Sequence, residues 1–323
     1  MNTDWFDILT RNSFSTDHNV NISGGSENIR YYASVGYTDE NDVIRWSDNK
    51  RYTANGKLDM ILSPKLQFSF HLNGYLNEKQ YAQDGLNPID YAYNTSRAIP
   101  AYTSDGEYAY YKKFGNVDIG YLNYNILNEL NNSYQKQNVS SFTATANLRY
   151  RATDWLSLNG ILSASTSNAD LIGHWGEKTY YAGYLRGCEY GLEPSLDMSE
   201  MPYGGELSKQ TTRNKSYTAR LQANFSKTFD DMHHVSAVIG SEANSNRYEA
   251  FKTIQRGYFE DRGKAFIADI SPDYTAYAKW ALSNVPILWS ILSGNPKTKF
   301  RQQIPLEKSR GIFYSVAGSF SPI

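Results

Sequence analysis

The residues able to do chemistry are few and scattered. The histidines are His18, His71, His174, His233 and His234, and none stands in an HExxH pattern. Cys188 is the single cysteine, which leaves no internal disulfide framework and no thiolate metal cluster. Asp230-Asp231, next to His233-His234, could suggest paired carboxylates, but Asp is a favoured turn residue and the stretch reads as a hairpin turn. Asp39, Asn41, Asp42 and Asp48 could offer oxygens to calcium, yet they lack the EF-hand spacing. No Gly-rich phosphate loop and no GxSxG elbow occurs. The sequence therefore predicts no enzyme, no metal site and no cofactor.

Binding chemistry is better represented. Tyr102, Tyr108, Tyr110 and Tyr111 gather near Asp105 and Lys112. Further on, Trp175, Tyr180 and Tyr181 stand with His174, Glu177 and Arg186. Aromatic faces stack on the apolar faces of sugar rings while polar neighbours take hydroxyls, so both groups are candidate ligand-binding residues. The same composition would suit tyrosines packed on one another or on a partner protein.

These stretches hang between strands. Around the second candidate group, Phe142, Ala144, Ala146, Leu148 and Tyr150 alternate with Thr143, Thr145, Asn147, Arg149 and Arg151. After a turn at Thr153-Asp154, Leu156, Leu158, Gly160, Leu162 and Ala164 alternate with Ser157, Asn159, Ser163 and Ser165. The design recurs in Tyr52–Leu62 with Leu66–Gly74, and in Tyr217–Ser226 with Val235–Ile239. Period-two alternation predicts strands with one apolar and one polar face. At about ten to fourteen residues they exceed the usual soluble strand of about five or six. Aromatics at the ends of the apolar faces fit a strand crossing a bilayer, apolar toward lipid and polar toward a lumen. By parity Arg149, Arg151 and Arg220 face that lumen. A soluble β-sandwich also alternates and is the competing architecture.

Bulk properties agree with a barrel. The chain has 323 residues, 27 of them Tyr, and a net charge of -1, which argues against an electrostatic nucleic-acid binder. Its mean hydropathy of -0.59 is polar, as expected when only alternate strand residues are apolar. The most apolar stretch, Trp280–Leu292, is interrupted by Asn284 and Pro286 and is too short for a transmembrane helix. No signal peptide is visible at the start, Met-Asn-Thr-Asp-Trp, so the reading favours an excerpt of a longer chain.

The connections give the topology. Short ones at 24–27, 63–65, 152–154 and 229–233 alternate with longer ones at 39–51, 80–139, 169–215 and from 251 onward. Such alternation predicts an antiparallel up-and-down transmembrane β-barrel, with short periplasmic turns and long extracellular loops. The expected organisation is an extracellular loop over 1–17, barrel hairpins over 18–250, and a long loop with a last partial strand, near Gly311–Phe320, over 251–323.

Particular residues carry a resemblance. Asn2-Thr3-Asp4-Trp5-Phe6-Asp7, His18-Asn19-Val20-Asn21-Ile22-Ser23-Gly24-Gly25 and Arg30-Tyr31-Tyr32-Ala33-Ser34-Val35-Gly36-Tyr37 resemble the early barrel of SusC/RagA-type TonB-linked transporters. Arg51–Asn55, Asn87-Pro88 and Pro100-Ala101-Tyr102 ahead of Asp105-Gly106 fit the same pattern, and the likeness fades after Glu249. The resemblance implies part of a barrel of about 22 strands closed around a plug. Signal peptide, plug, TonB-contacting segment, first strand and C-terminal strands would then lie outside this stretch. It also implies outer-membrane import of an oligosaccharide or peptide in a Gram-negative, Bacteroidetes-like bacterium. The implied partners are a SusD-like lipoprotein, the TonB complex acting through the plug, and outer-membrane lipid. The alternative function, attached to the sandwich architecture, is a surface or secreted glycan-binding protein without transport.

Overall fold

The computed structural model describes residues 2–230, 233–267, 270–284 and 307–322. In chain order its elements are α1 (Trp5–Leu9), β1 (Phe14–Gly25), β2 (Ile29–Asn41), β3 (Asp48–Ser63), β4 (Leu66–Tyr81) and α2 (Pro88–Asn94). Next come β5 (Tyr111–Phe114), β6 (Tyr121–Tyr124), α3 (Ile126–Asn131), β7 (Ser133–Arg151), β8 (Leu156–Trp175) and α4 (Tyr180–Arg186). The remainder are β9 (Gly205–Phe229), β10 (His233–Phe259), β11 (Ala265–Phe266), α5 (Thr275–Asn284) and β12 (Glu307–Pro322). One 10-stranded antiparallel sheet runs β1-β2-β3-β4-β7-β8-β9-β10-β11, with β12 also on β10. β5 and β6 form a separate pair. Among the described residues the sheet does not close on itself.

Register turns the alternation into two faces. Ala146 lies opposite Phe70 and Leu162, and Ala219 opposite Leu162 and Ala243. One step along, Asn147 lies opposite Ser69, and Thr145 opposite His71 and Ser163. Because the side-chain period is two, every strand keeps its apolar residues on the same side. That side is bare: Val20 is 70% exposed, Leu162 64% and Leu221 71%. A sandwich would cover such a face with a second sheet, and among the described residues none does. The apolar run Tyr217–Phe225 rises about 27 Å along its strand, which after tilting fits the roughly 25 Å apolar band of outer-membrane barrels. The architecture is a segment of antiparallel barrel.

The strands outrun the alternation that announces them. β9 has 25 residues and β10 has 27, whereas crossing a bilayer takes about 9–11. The excess lies at the end with the long connections, where both faces meet water and apolar alternation is no longer required. Ladder pairing continues there, from Gln210↔Lys252 to Glu206↔Arg256. The connections are accordingly shorter than the sequence suggests: 42–47, 82–132 and 176–204. Residues 251–259 are strand, and β1 begins at Phe14 rather than after 17. The expected turn residue Asp231 and most of Trp280–Leu292 lie outside the described residues; Gly311–Phe320 falls within β12.

The buried core sits between the strand tops and not among the crossing strands. Trp5, Leu9, Ile126, Leu127 and Leu130 are each at most 2% exposed and pack with Ala92, Ala101 and Tyr124. α1 starts because Asp4 Oδ1 accepts from the Phe6 and Asp7 amides. α3 starts because Asn125 Oδ1 accepts from the Leu127 and Asn128 amides, while its Nδ2 donates to the Ala101 and Ala109 carbonyls. One side chain thereby caps a helix and pins the 101–109 hairpin over it.

Candidate functional site

Over the polar face, the strand tops and the connection 82–132 enclose a cavity of about 590 Å³. β7 gives it Gln135, β8 gives Leu171 and Trp175, β9 gives Glu206, Ser208 and Gln210, and β10 gives Lys252 and Ile254. Parity places all of these on the polar, lumen-side face. Gln83, Asp84, Lys113, Tyr124, Glu129, Tyr180 and Tyr181 come from the connections. β9 can enter directly beneath Trp175 because it starts with glycine: a Cβ on Gly205 would stand 2.0 Å from the Trp175 carbonyl oxygen.

The aromatic wall is held from several sides. Trp175 and Tyr181 stack with centroids 4.5 Å apart at 24°. With its amide oxygen turned to the indole, Gln83 accepts from Trp175 Nε1 at 3.1 Å. Tyr181 donates its hydroxyl to Glu206 Oε1 at 3.0 Å, and Glu206 Oε2 accepts from Arg256 Nε at 3.0 Å. Lys113 Nζ lies 4.2 Å from the centroid of Tyr124 and 4.8 Å from that of Tyr180, a cation bound on two rings. Burial pulls the Lys113 ammonium below its ordinary pKa.

Glu129 is the most perturbed acid of the site. It is 1% exposed, and burial raises its carboxyl to about 7 against the hydrogen bonds from the Tyr180 amide and Asn128. Those bonds are 2.7 and 3.1 Å long. Asn128 Oδ1 also accepts from the Tyr110 hydroxyl at 3.2 Å. Tyr110, Asn128, Glu129 and Tyr180 thus tie the two aromatic stretches together through α3.

The candidate residues read from the sequence divide among several places. Trp175, Tyr180 and Tyr181 line the cavity. Tyr102 and Tyr108 are joined by a β-bridge on the 101–109 hairpin with their rings tilted at 31°, Tyr108 meets Tyr110 edge on, and Tyr108 accepts from Asn131 at 2.7 Å. Tyr111 turns into the core against Tyr124. His174 points the other way from Trp175, since β8 still alternates there, and is 4% exposed between Tyr134 and Tyr258. Glu177 lies beside it, lining a smaller cavity of about 190 Å³ on that opposite side. Arg186 is buried at the end of α4, where its Nη2 donates to the Glu177 carbonyl at 2.8 Å. Glu129, Lys113, Glu206 and Lys252 escaped the sequence reading. Parity extended past the last apolar residue could have found Glu206 and Lys252, but nothing local marks Glu129 or Lys113.

Comparison with known proteins agrees with this architecture. No family model matches the chain. Over 110 residues, 34% of this chain and 11% of the relative, it is 34% identical to the TonB-dependent receptor SusC of Bacteroides thetaiotaomicron. Over 108 residues, 33% of this chain and 10% of the relative, it is 34% identical to the TonB-dependent receptor P26 of Formosa agariphila. In fold it is similar to the RagAB peptide transporter, with a TM-score of 0.66 at 14% identity over 100% of this chain and 31% of that one. RagAB in its open-open state gives 0.66 at 15% identity, covering 99% and 31%. The matched stretch spans about a tenth of the curated relatives' own length (11% and 10%). The relatives are named as receptors and a transporter rather than enzymes. In sequence over a third of its length, and in fold over all of it, the chain is similar to SusC/RagA-type TonB-dependent receptors, and its sheet is a segment of that kind of antiparallel barrel.

Proposed function

We propose that this chain forms the ligand-capturing mouth of an outer-membrane, TonB-dependent importer whose cargo is an oligosaccharide or a peptide. A SusD-like lipoprotein would cap the long-connection end, and the TonB complex would act through a plug within the lumen. The observation that carries the reading is the 590 Å³ cavity on the lumen-side face, above the apolar band. Import against a gradient requires a dilute ligand to be captured first, and only the long-connection end faces outward if the short turns are periplasmic. The cavity joins stacked aromatic rings to the amides Gln83, Gln135 and Gln210, and to cations Lys113 and Lys252. That mixture both stacks on and hydrogen-bonds a hydroxyl-rich or amide-rich solute.

Trp175→Ala in the whole receptor removes one aromatic platform, at a cost of about 1–3 kcal/mol in capture, or about tenfold to a hundredfold in affinity. Labelled-ligand uptake at limiting concentration should fall while surface abundance stays constant. Asp154→Ala, in a short turn at the other end, should import normally. Equal uptake by wild type and Trp175→Ala at equal abundance would return this wall to plain packing.

A further inference from the structure

We infer that the outer wall of β9 and β10 carries a binding site for the phosphate of an outer-leaflet glycolipid. The inference rests on the membrane-barrel reading above and concerns the opposite face of the sheet from the cavity. Lys215 lies directly opposite Arg247, and Arg247 is the register partner of Lys308 on β12. On the other side Lys215 is opposite Thr166. By parity Lys215 and Arg247 share the apolar face with Tyr217 and Ala243, and both are exposed. Like charges directly across a ladder destabilise the pairing, so such a row calls for a counter-anion.

Position says which anion. Lys215 is the next outward residue after Tyr217, the ring that ends the apolar run of β9 toward the long connections. An outward cation just past an aromatic belt meets lipid headgroups, and Lys and Arg are the residues that hold phosphates there. Arg213, one outward step further, is also exposed. Glu249 is the acid within this patch: it pairs with Arg247 and lies opposite Arg213. Among the described residues Lys215 and Arg213 have no ion-pair partner.

The rest of the wall provides the contrast. At the corresponding height on β2, β3 and β4, Asp39, Lys50 and Glu78 lie in direct register with alternating signs. There an acid stands in register on each side of the lysine, so the row carries no excess of positive charge. At this height the row without an acid in direct register is the one on β9, β10 and β12, where a single headgroup could span adjacent strands.

The test uses the whole receptor, extracted from outer membranes into detergent, with thermal unfolding followed as lipid is added. Phosphorylated lipid A should raise the unfolding temperature of the wild type. The Lys215→Gln/Arg247→Gln variant should need about tenfold to thirtyfold more lipid for the same shift, as expected for two cations lost near a headgroup. Lys50→Gln, from the row of alternating signs, should behave as wild type. Heat-modifiable mobility on a gel verifies that each barrel is folded. If the double variant fails to fold, the single variants Lys215→Gln and Arg247→Gln serve, each with a smaller loss. The inference is overturned if the variants respond as wild type, if dephosphorylated lipid A works equally well, or if inorganic phosphate replaces the lipid. Failure of the membrane reading would show differently, as a protein that does not fractionate with outer membranes.

Discussion

Leu221 and Leu127 are the same residue in opposite circumstances. Leu221 is 71% exposed on the apolar face of the crossing strands, while Leu127, on the buried side of α3, is 2% exposed. The lower part of the sheet has no interior of its own; its apolar side chains are satisfied by lipid and its backbone by neighbouring strands. The upper part, built from α1, α2, α3 and the strand tops, is an ordinary water-facing core with capped helices and close packing. The difference teaches where a substitution will be felt. Below, facing decides; above, volume and polar satisfaction decide.

The largest effect should come from the upper core. Leu127→Ala leaves a cavity among Trp5, Leu9 and Leu130, and such truncations cost about 2–5 kcal/mol. The barrel should still assemble, because its ladder does not include α3, yet the 82–132 connection should become sensitive to protease. Loss of barrel insertion in this variant would mean that the two parts fold as one unit.

Facing is tested next. Ala146, opposite Phe70 and Leu162, should tolerate arginine poorly, at about 2–4 kcal/mol near the bilayer midplane. Asn147, opposite Ser69, should accept it with much less loss. Folding yields into vesicles measure both. Equal penalties at the two positions would remove the distinction between a lipid face and a lumen face.

The same division governs what could be read without a structure. Below, alternation, turn residues and aromatic ends disclosed strands, parity and architecture, since lipid imposes a strict period of two. Above, the period no longer reports on anything apolar, and β8, β9 and β10 ran on unseen. Treating 169–215 as loop therefore placed His174 and Trp175 in one cluster, although consecutive strand residues face opposite ways. Lys113 and Glu129 enter the site through contacts made across the connection, which no spacing in the sequence encodes. Tyr180 and Tyr181 were legible only as composition; their roles follow from the walls they lean on.

The smallest effect, and the one that separates the inner from the outer wall of the upper part, is pH. Glu129 lines the inner cavity with a carboxyl raised by burial to about 7. Its folded pKa exceeds its unfolded value, so its contribution is fully present in acid and is lost as pH rises through about 7. His174 on the outer wall is shifted the other way. Burial lowers its pKa, the nearby Lys136 adds to this, and Glu260 and Asp261 only partly offset it. Among the described residues neither ring nitrogen has a hydrogen-bond partner, while Tyr134 and Tyr258 both donate to Glu260 beside it, at 3.1 and 2.7 Å. Stability tied to neutral His174 is therefore present above the ordinary histidine pKa of about 6.5 and is lost as pH falls below it. Amide exchange, corrected for its intrinsic pH dependence, should quicken around α3 and Tyr180 above about pH 7 and around 258–266 below about pH 6.5. His174→Phe should abolish only the acid-side change, and Glu129→Gln only the alkaline-side change. A His174→Phe protein that still loosens at 258–266 in acid would show that Glu260 and its tyrosines, not the imidazole, set the outer wall's response.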